Sequence, residues 1–481
     1  MRKTKVASAI LLAAAASLSV ANELPEGKDV VFDSAADLIA TAVGNSITLT
    51  QSAPEGNELG NSSILTQEGD LNTMIVDIVG DGNDVVALQS LEGNVLLVNI
   101  IGDANVVTAD QFSYDSTGDI WIEGDGNLVD LVQLGDGGLF GITNRSIDTI
   151  IGSDNTLTVF QGDGGHWANN AMMGNENTVV VDQVGEWHEQ YIDALIGDAN
   201  SVEVVQDGFW NIADITEIYG DENELEIDQD GDYNRFSWAL EGTGNELSFE
   251  QDGDDNSIST GVFIGDANEV NVDQIGDLNE ATVETIDGLA NEFEINQVGD
   301  GNYAYAGVIG MLNVFDITQT GDANEASAVN FDGIGNIVEI EQDGDENLAL
   351  AQAGIGDVAA YADGNEIMMT QEGSMNDASV ELASSDNTSY NVIETSQSGE
   401  LNLIDLLVNG DDNLVTIMQE GASNWVTAED GSQFMLTGDS NTLSITQTGN
   451  DNLVVGSMTG TGGTISVTQI GDYNVATVTQ M

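Results

Sequence analysis

One pattern recurs along almost the whole chain: N-x5-Q-x-G-x2-N, returning every 22 or 23 residues between Asn61 and Gln469. There are 18 copies, and the Gln stands six residues after the first position in every one. A second Asn stands eleven residues after the first position in 14 copies, with Ser116, Gly138, His166 and His188 as the exceptions. The unit is therefore a pair of half-repeats, and a fixed period of this length points to a stacked repeat architecture rather than a set of globular domains.

Each half opens on a turn such as Gly-Asp-x-Asn and continues in strict alternation, the mark of a strand with one buried face. In Asn223–Gln229 the inward set is Asn223, Leu225, Ile227 and Gln229, while Glu224, Glu226 and Asp228 take the other face. The partner half sends Asn234, Phe236, Trp238 and Leu240 inward. Gly231, Gly276 and Gly321, three residues before an Asn, suit a turn needing positive φ or close backbone approach. One strand-turn-strand cannot bury its apolar face alone, so the units must stack. The expected fold is all-β: a β-solenoid of about 18 rungs with two facing parallel sheets, roughly 85 Å long at 4.8 Å per rung. Both prolines, Pro25 and Pro54, precede the repeats, as ladder hydrogen bonding requires. The longer spacings from Asn127, Asn336, Asn365 and Asn413 are expected to be loops bulging from a turn. Charge-driven disorder is the competing reading, and the regular apolar face argues against it.

Buried amides are costly unless paired, at about 1–3 kcal/mol each. Stacked on identical residues a rung away, they can donate and accept in continuous ladders that lock register. The expected ladder positions are Asn223, Gln229 and Asn234; Asn245, Gln251 and Asn256; Asn268, Gln274 and Asn279; Asn291, Gln297 and Asn302; Asn313, Gln319 and Asn324; Asn441, Gln447 and Asn452; and Gln469, Asn474 and Gln480. The plainer reading is that the amides, Asn above all, only shape turns.

Composition narrows the partners. The 84 Asp and Glu face 6 Lys and Arg, a net charge of −78, and there is no Cys. A polyanion cannot neutralise phosphates, so nucleic acid and anionic lipid headgroups are disfavoured. Disulfides, thiolate zinc sites and a Cys nucleophile are excluded. Residues 1–21 read as a secretory signal, with Arg2, Lys3 and Lys5 before an apolar stretch and Ser19-Val20-Ala21 at the cleavage site. No later stretch is long and apolar enough for membrane insertion. Removing the signal leaves Lys28, Arg145 and Arg235. Residues 22–60 form an N-terminal segment, read as an export signal or a degenerate rung, and 61–481 form the repeat domain. The final strand, Asn474–Gln480, fits the repeat with no capping element after it, which is expected to leave a rung edge open to another chain.

Other constellations are weaker. His166 and His188 fall on adjacent rungs beside Trp167 and Trp187 and suggest a metal or pH-sensing pair, against simple replacement of Asn at a turn. Trp238 reads as core, whereas Trp121, Trp210 and Trp425 are candidates for carbohydrate contact. The Gly-Asp-x-Asn turns lack the nonapeptide of calcium β-rolls, so any Ca²⁺ or Mg²⁺ association is expected to be diffuse. Carboxylate pairs are too numerous to mark a catalytic one. No enzyme activity and no cofactor are expected.

The N-x5-Q-x-G-x2-N unit resembles the curlin repeat of bacterial curli subunits over residues 61–481. Here there are more copies and more acid, and a Gln closing the second half-repeat is often missing. The resemblance implies a secreted structural subunit of extracellular amyloid fibres at the cell surface, exported through the periplasm of a Gram-negative-type bacterium by outer-membrane curli machinery. It also implies self-association into a homopolymer supporting adhesion and biofilm. The alternative is a monomeric secreted solenoid acting as an adhesin or a divalent-cation-binding surface protein.

Overall fold

The computed structural model describes residues 34–40, 44–53, 60–135, 143–353, 362–382 and 388–481. The signal segment 1–21 and both prolines lie outside these residues. Every described strand is parallel to its neighbours, and between the two end rungs each pairs with the strand of the equivalent half-repeat before and after it. First halves form one sheet and second halves the other, and no helix occurs among the described residues. The chain is a β-solenoid. A rung precedes Asn61: Ser34–Ala40 pairs onto Asn61–Gln67, and Ser46–Ser52 onto Thr73–Val79.

Alternation decides which side is buried. Along Glu224–Asp230 exposed and buried residues alternate strictly, and Ile227 lies in register with Phe249 and Val204. Each fully buried Val, Leu, Ile or Phe contributes roughly 1.5–3 kcal/mol, and stacking repeats that gain on every rung. One stretch of the core is aromatic. Trp238 is buried, with its ring centroid 4.6 Å from Phe249, 5.8 Å from Phe263 and 5.9 Å from Phe236.

The mixture of 22- and 23-residue repeats has a structural answer. Register in the first sheet runs without a shift, whereas the second sheet shifts between Asn170 and Met172, Ile215 and Glu217, Ser237 and Leu240, Val283 and Ile286, and Ala306 and Val308. The extra residue is absorbed as a bulge in the sheet that carries no Gln column.

The spacing from Asn413 to Asn441 corrects the expectation of a loop on a turn. Residues 428–433 interrupt the strand itself, separating Trp425–Thr427 from Phe434–Thr437, and both pieces pair with Leu403–Asn409 and Leu453–Thr459. The other three long spacings include residues outside those described.

Candidate functional site: the amide columns

The Gln that closes each first-half strand is buried and joined to its counterparts. Gln229 Nε2 donates to Gln251 Oε1 at 2.8 Å, Gln251 to Gln274 at 2.9 Å, Gln274 to Gln297 at 2.8 Å, Gln297 to Gln319 at 2.8 Å, and Gln447 to Gln469 at 2.9 Å. The same Nε2 also donates across the core to a carbonyl at the start of the opposite sheet, as from Gln274 to Ser257 O at 3.2 Å. The column therefore ties rung to rung and sheet to sheet.

The Asn columns run the other way. Asn245 Nδ2 donates back to Asn223 Oδ1 at 3.1 Å, Asn268 to Asn245 at 3.1 Å, Asn291 to Asn268 at 3.0 Å and Asn313 to Asn291 at 3.0 Å. In the second half Asn279 reaches Asn256 at 3.2 Å, Asn302 reaches Asn279 at 3.1 Å, Asn324 reaches Asn302 at 3.1 Å, and Asn452 and Asn474 each donate to the preceding member at 2.8 Å. The same amides also brace turns, as where Asn245 Nδ2 donates to Gly265 O at 3.0 Å. Asn234, Asn256 and Asn441 do only the turn work with their Nδ2, donating to Gly253 O at 2.7 Å, Gly276 O at 2.7 Å and Gly460 O at 2.8 Å, while their Oδ1 atoms accept the backbone N–H of Asn256, Asn279 and Gly463. Ladder and turn support are thus two uses of one side chain.

Two sequence assignments need correction. Gln480 belongs to no Gln column: its register partner is Met458, which continues the apolar series of Leu436 and Val408. Gly138 marks no gap in the second Asn column either. The insertion moves the equivalent residue to Asn144, whose Oδ1 accepts the His166 N–H at 3.2 Å.

His166 and His188 stand in that column as substitutes for Asn. His188 N–H donates to His166 Nδ1 at 3.3 Å, and Asn211 N–H to His188 Nδ1 at 3.1 Å. Each Nε2 faces a carbonyl oxygen, Gly162 at 2.5 Å and Val184 at 2.9 Å. Nδ1 must accept and Nε2 must donate, which is the neutral Nε2–H tautomer. Burial, reinforced by His188, pushes His166 down to about 4, and burial also lowers His188. No cluster of three or more His, Asp or Glu able to hold a metal occurs among the described residues.

The turns hold a further column, built from Asp residues. Asp254 Oδ1 accepts the Asp232 N–H at 2.9 Å, and Asp277, Asp300, Asp322 and Asp345 accept from the preceding turn at 3.0–3.1 Å. The residue after each such Asp has a left-handed backbone, as at Tyr233 (φ 63) and Leu278 (φ 62). The Asp in Gly-Asp-x-Asn is therefore structural as well as charged. On the sheet faces the acids crowd: partial burial, then Glu250 and Glu294, raise Asp273, and burial followed by Glu294 and Glu339 raises Asp316. Trp121, Trp210 and Trp425 are all exposed, Trp210 in a turn where its ring stacks obliquely between Trp187 and Tyr233 at 5.9 Å from each.

An in-register parallel stack with buried amide columns defines a repeat protein of the parallel β-solenoid class. Comparison with known families makes it specific. The curlin associated repeat matches residues 197–231, 265–299, 288–321 and 438–480, so the chain contains curlin repeats in these segments. No curated protein matches it. Among the described residues no helix is long and apolar enough to cross a membrane.

Proposed function

We propose that this protein is the structural subunit of an extracellular curli-like fibre, polymerising by adding the rungs of one copy to those of another and supporting cell adhesion and a biofilm matrix. The observation that carries the reading is the Gln column, unbroken from Gln67 to Gln469, parts of which, such as Gln274 to Gln319 and Gln447 to Gln469, lie in residues that match the curlin repeat. A buried side chain that both donates to and accepts from its own kind is satisfied only by another rung, so each rung is a template for the next. Export through an outer-membrane curli channel belongs to the same proposal. The acid-rich faces then act as a brake, because like charges a rung apart repel within a Debye length.

Dilution from denaturant tests this. Thioflavin-positive fibres with a meridional reflection near about 4.7–4.8 Å are expected, forming faster as salt is added. A chain that refolds to a monomer and stays monomeric at high concentration overturns the proposal. The turn Asp columns favour a second reading, a monomeric solenoid that loads divalent cations. It predicts that added calcium yields a discrete folded rod instead of fibres.

A further inference from the structure

We propose that the insertion at residues 428–433, with the rung faces it overhangs, is a binding site for a neutral hexose unit of a glycan. The fold does not call for this insertion. The strands on either side, Leu403–Asn409 and Leu453–Thr459, run unbroken past the gap it makes. Nor is it a slack loop. Ala428 N–H donates to Ser432 O at 2.7 Å, Gly431 N–H to Ala428 O at 3.0 Å, and Thr427 Oγ1 to Ser432 O at 2.5 Å. Ser432 Oγ and N–H then hold Asp430 Oδ1 at 2.6 and 3.2 Å. The outward-facing Val455, in register with Thr427 beside the insertion, is only 8% exposed.

Between insertion and sheet lies a cavity of about 430 Å³ that reaches Glu429, Asp430, Met435, Ser457, Thr477 and Thr479. That volume falls within the range of small-molecule sites. Its chemistry selects the ligand. Two carboxylates accept hydrogen bonds, four hydroxyls, Ser432 among them, can donate or accept, and no cationic side chain lines the space, so an anionic ligand finds no partner. A sugar also needs an apolar surface for its C–H face. Met435, 46% exposed, supplies it in the wall. A metal is the poorer fit, since no group of three or more acidic or His side chains gathers here. This site does not depend on fibre formation, for every residue in it belongs to one chain.

The test is isothermal titration of the full refolded chain with short β-1,4-glucan, β-1,4-N-acetylglucosamine and α-1,4-glucan oligosaccharides, with calcium chloride as a separate arm. One of the three glycans is expected to bind saturably at one site per chain. Affinity should fall about tenfold, or about 1.4 kcal/mol, in Glu429→Gln, in Asp430→Asn and in Met435→Ser. Circular dichroism should show an unchanged β signal for each variant, because all three positions are outside the core. Failure of every glycan to saturate overturns the proposal, as does binding that the three variants leave unaltered. Saturable calcium binding removed by Glu429→Gln, without glycan binding, overturns it in favour of a cation site.

Discussion

The imidazoles of His166 and His188 lie face to face, ring centroids 5.1 Å apart and planes within 5°. Each offers Nδ1 to a backbone N–H of the following rung, so protonation there would set one N–H against another. Around the pair the elements present mostly neutral groups: Asn144 and Asn211 along the column, and the Gly162 and Val184 carbonyls. Asp207 is the charged neighbour, and it partly offsets the lowering of His188.

Folding should therefore expel protons from both rings. The folded value for His166, about 4, is below the ordinary 6.5, so its stabilising contribution is complete above pH 6.5 and lost as pH falls toward 4. That loss amounts to about 3 kcal/mol for His166 alone. In denaturant titrations at neutral and mildly acidic pH, a His166→Asn/His188→Asn double variant should lose less stability on acidification than the parent. An identical pH response in the two proteins would refute this account.

Asp148 should work in the opposite direction. It faces the core, held by Ser146 Oγ at 2.8 Å and Asn170 Nδ2 at 2.8 Å, and burial pushes its carboxyl up to about 7 despite those bonds. Its folded value exceeds the ordinary 3.8, so the contribution is present at low pH and disappears as pH rises through 7. Asp148→Asn should stabilise the rod at pH 8 by up to about 4 kcal/mol and have little effect near pH 4. Equal shifts in unfolding midpoint at both pH values would count against it.

Gln274 tests the column. Gln274→Leu strips the Gln251 amide of its acceptor, the Gln297 amide column of its donor, and Ser257 O of its cross-core bond. A cost of about 3 kcal/mol or more is expected. Asn271→Ser, on the outward face of the same strand, should change stability by under about 0.5 kcal/mol. Comparable losses in both variants would mean that the column holds no special place.

Two glycines separate conformational freedom from crowding. Gly276 has φ +116 and packs so closely on the next turn that a Cβ would run into the Gly299 carbonyl oxygen. Gly301 has φ +67 with open space around it. Gly301→Ala should cost about 1 kcal/mol, whereas Gly276→Ala should shift the adjoining turns and cost several times more, read as the difference in unfolding midpoints.

How much of this was legible in the sequence follows from where a polar residue had to recur. The first sheet could be placed residue by residue, because each Gln pins its strand. The second sheet has no such residue at its strand ends, so its bulges, the move from Gly138 to Asn144, and the apolar column that Gln480 joins were all hidden. The split strand at residues 428–433 was hidden for the same reason, since spacing counts inserted residues without saying where along the half-repeat they leave the sheet. The turn Asp residues escaped for a different reason. A carboxylate in Gly-Asp-x-Asn looks like an ordinary solvated acid until a second turn lies against it and offers its N–H.

The opposed running of the Gln and Asn amides gives the rod an arrow. Along the column the Gln amides donate to the Gln of the following rung, whereas the Asn-to-Asn bonds are donated to the preceding one. Copies joined in the same sense would continue both chains of bonds, while a reversed join that kept the columns aligned would set donor against donor. Growth built on these columns is vectorial, and a fibre of such subunits has two ends that differ in chemistry rather than one end repeated.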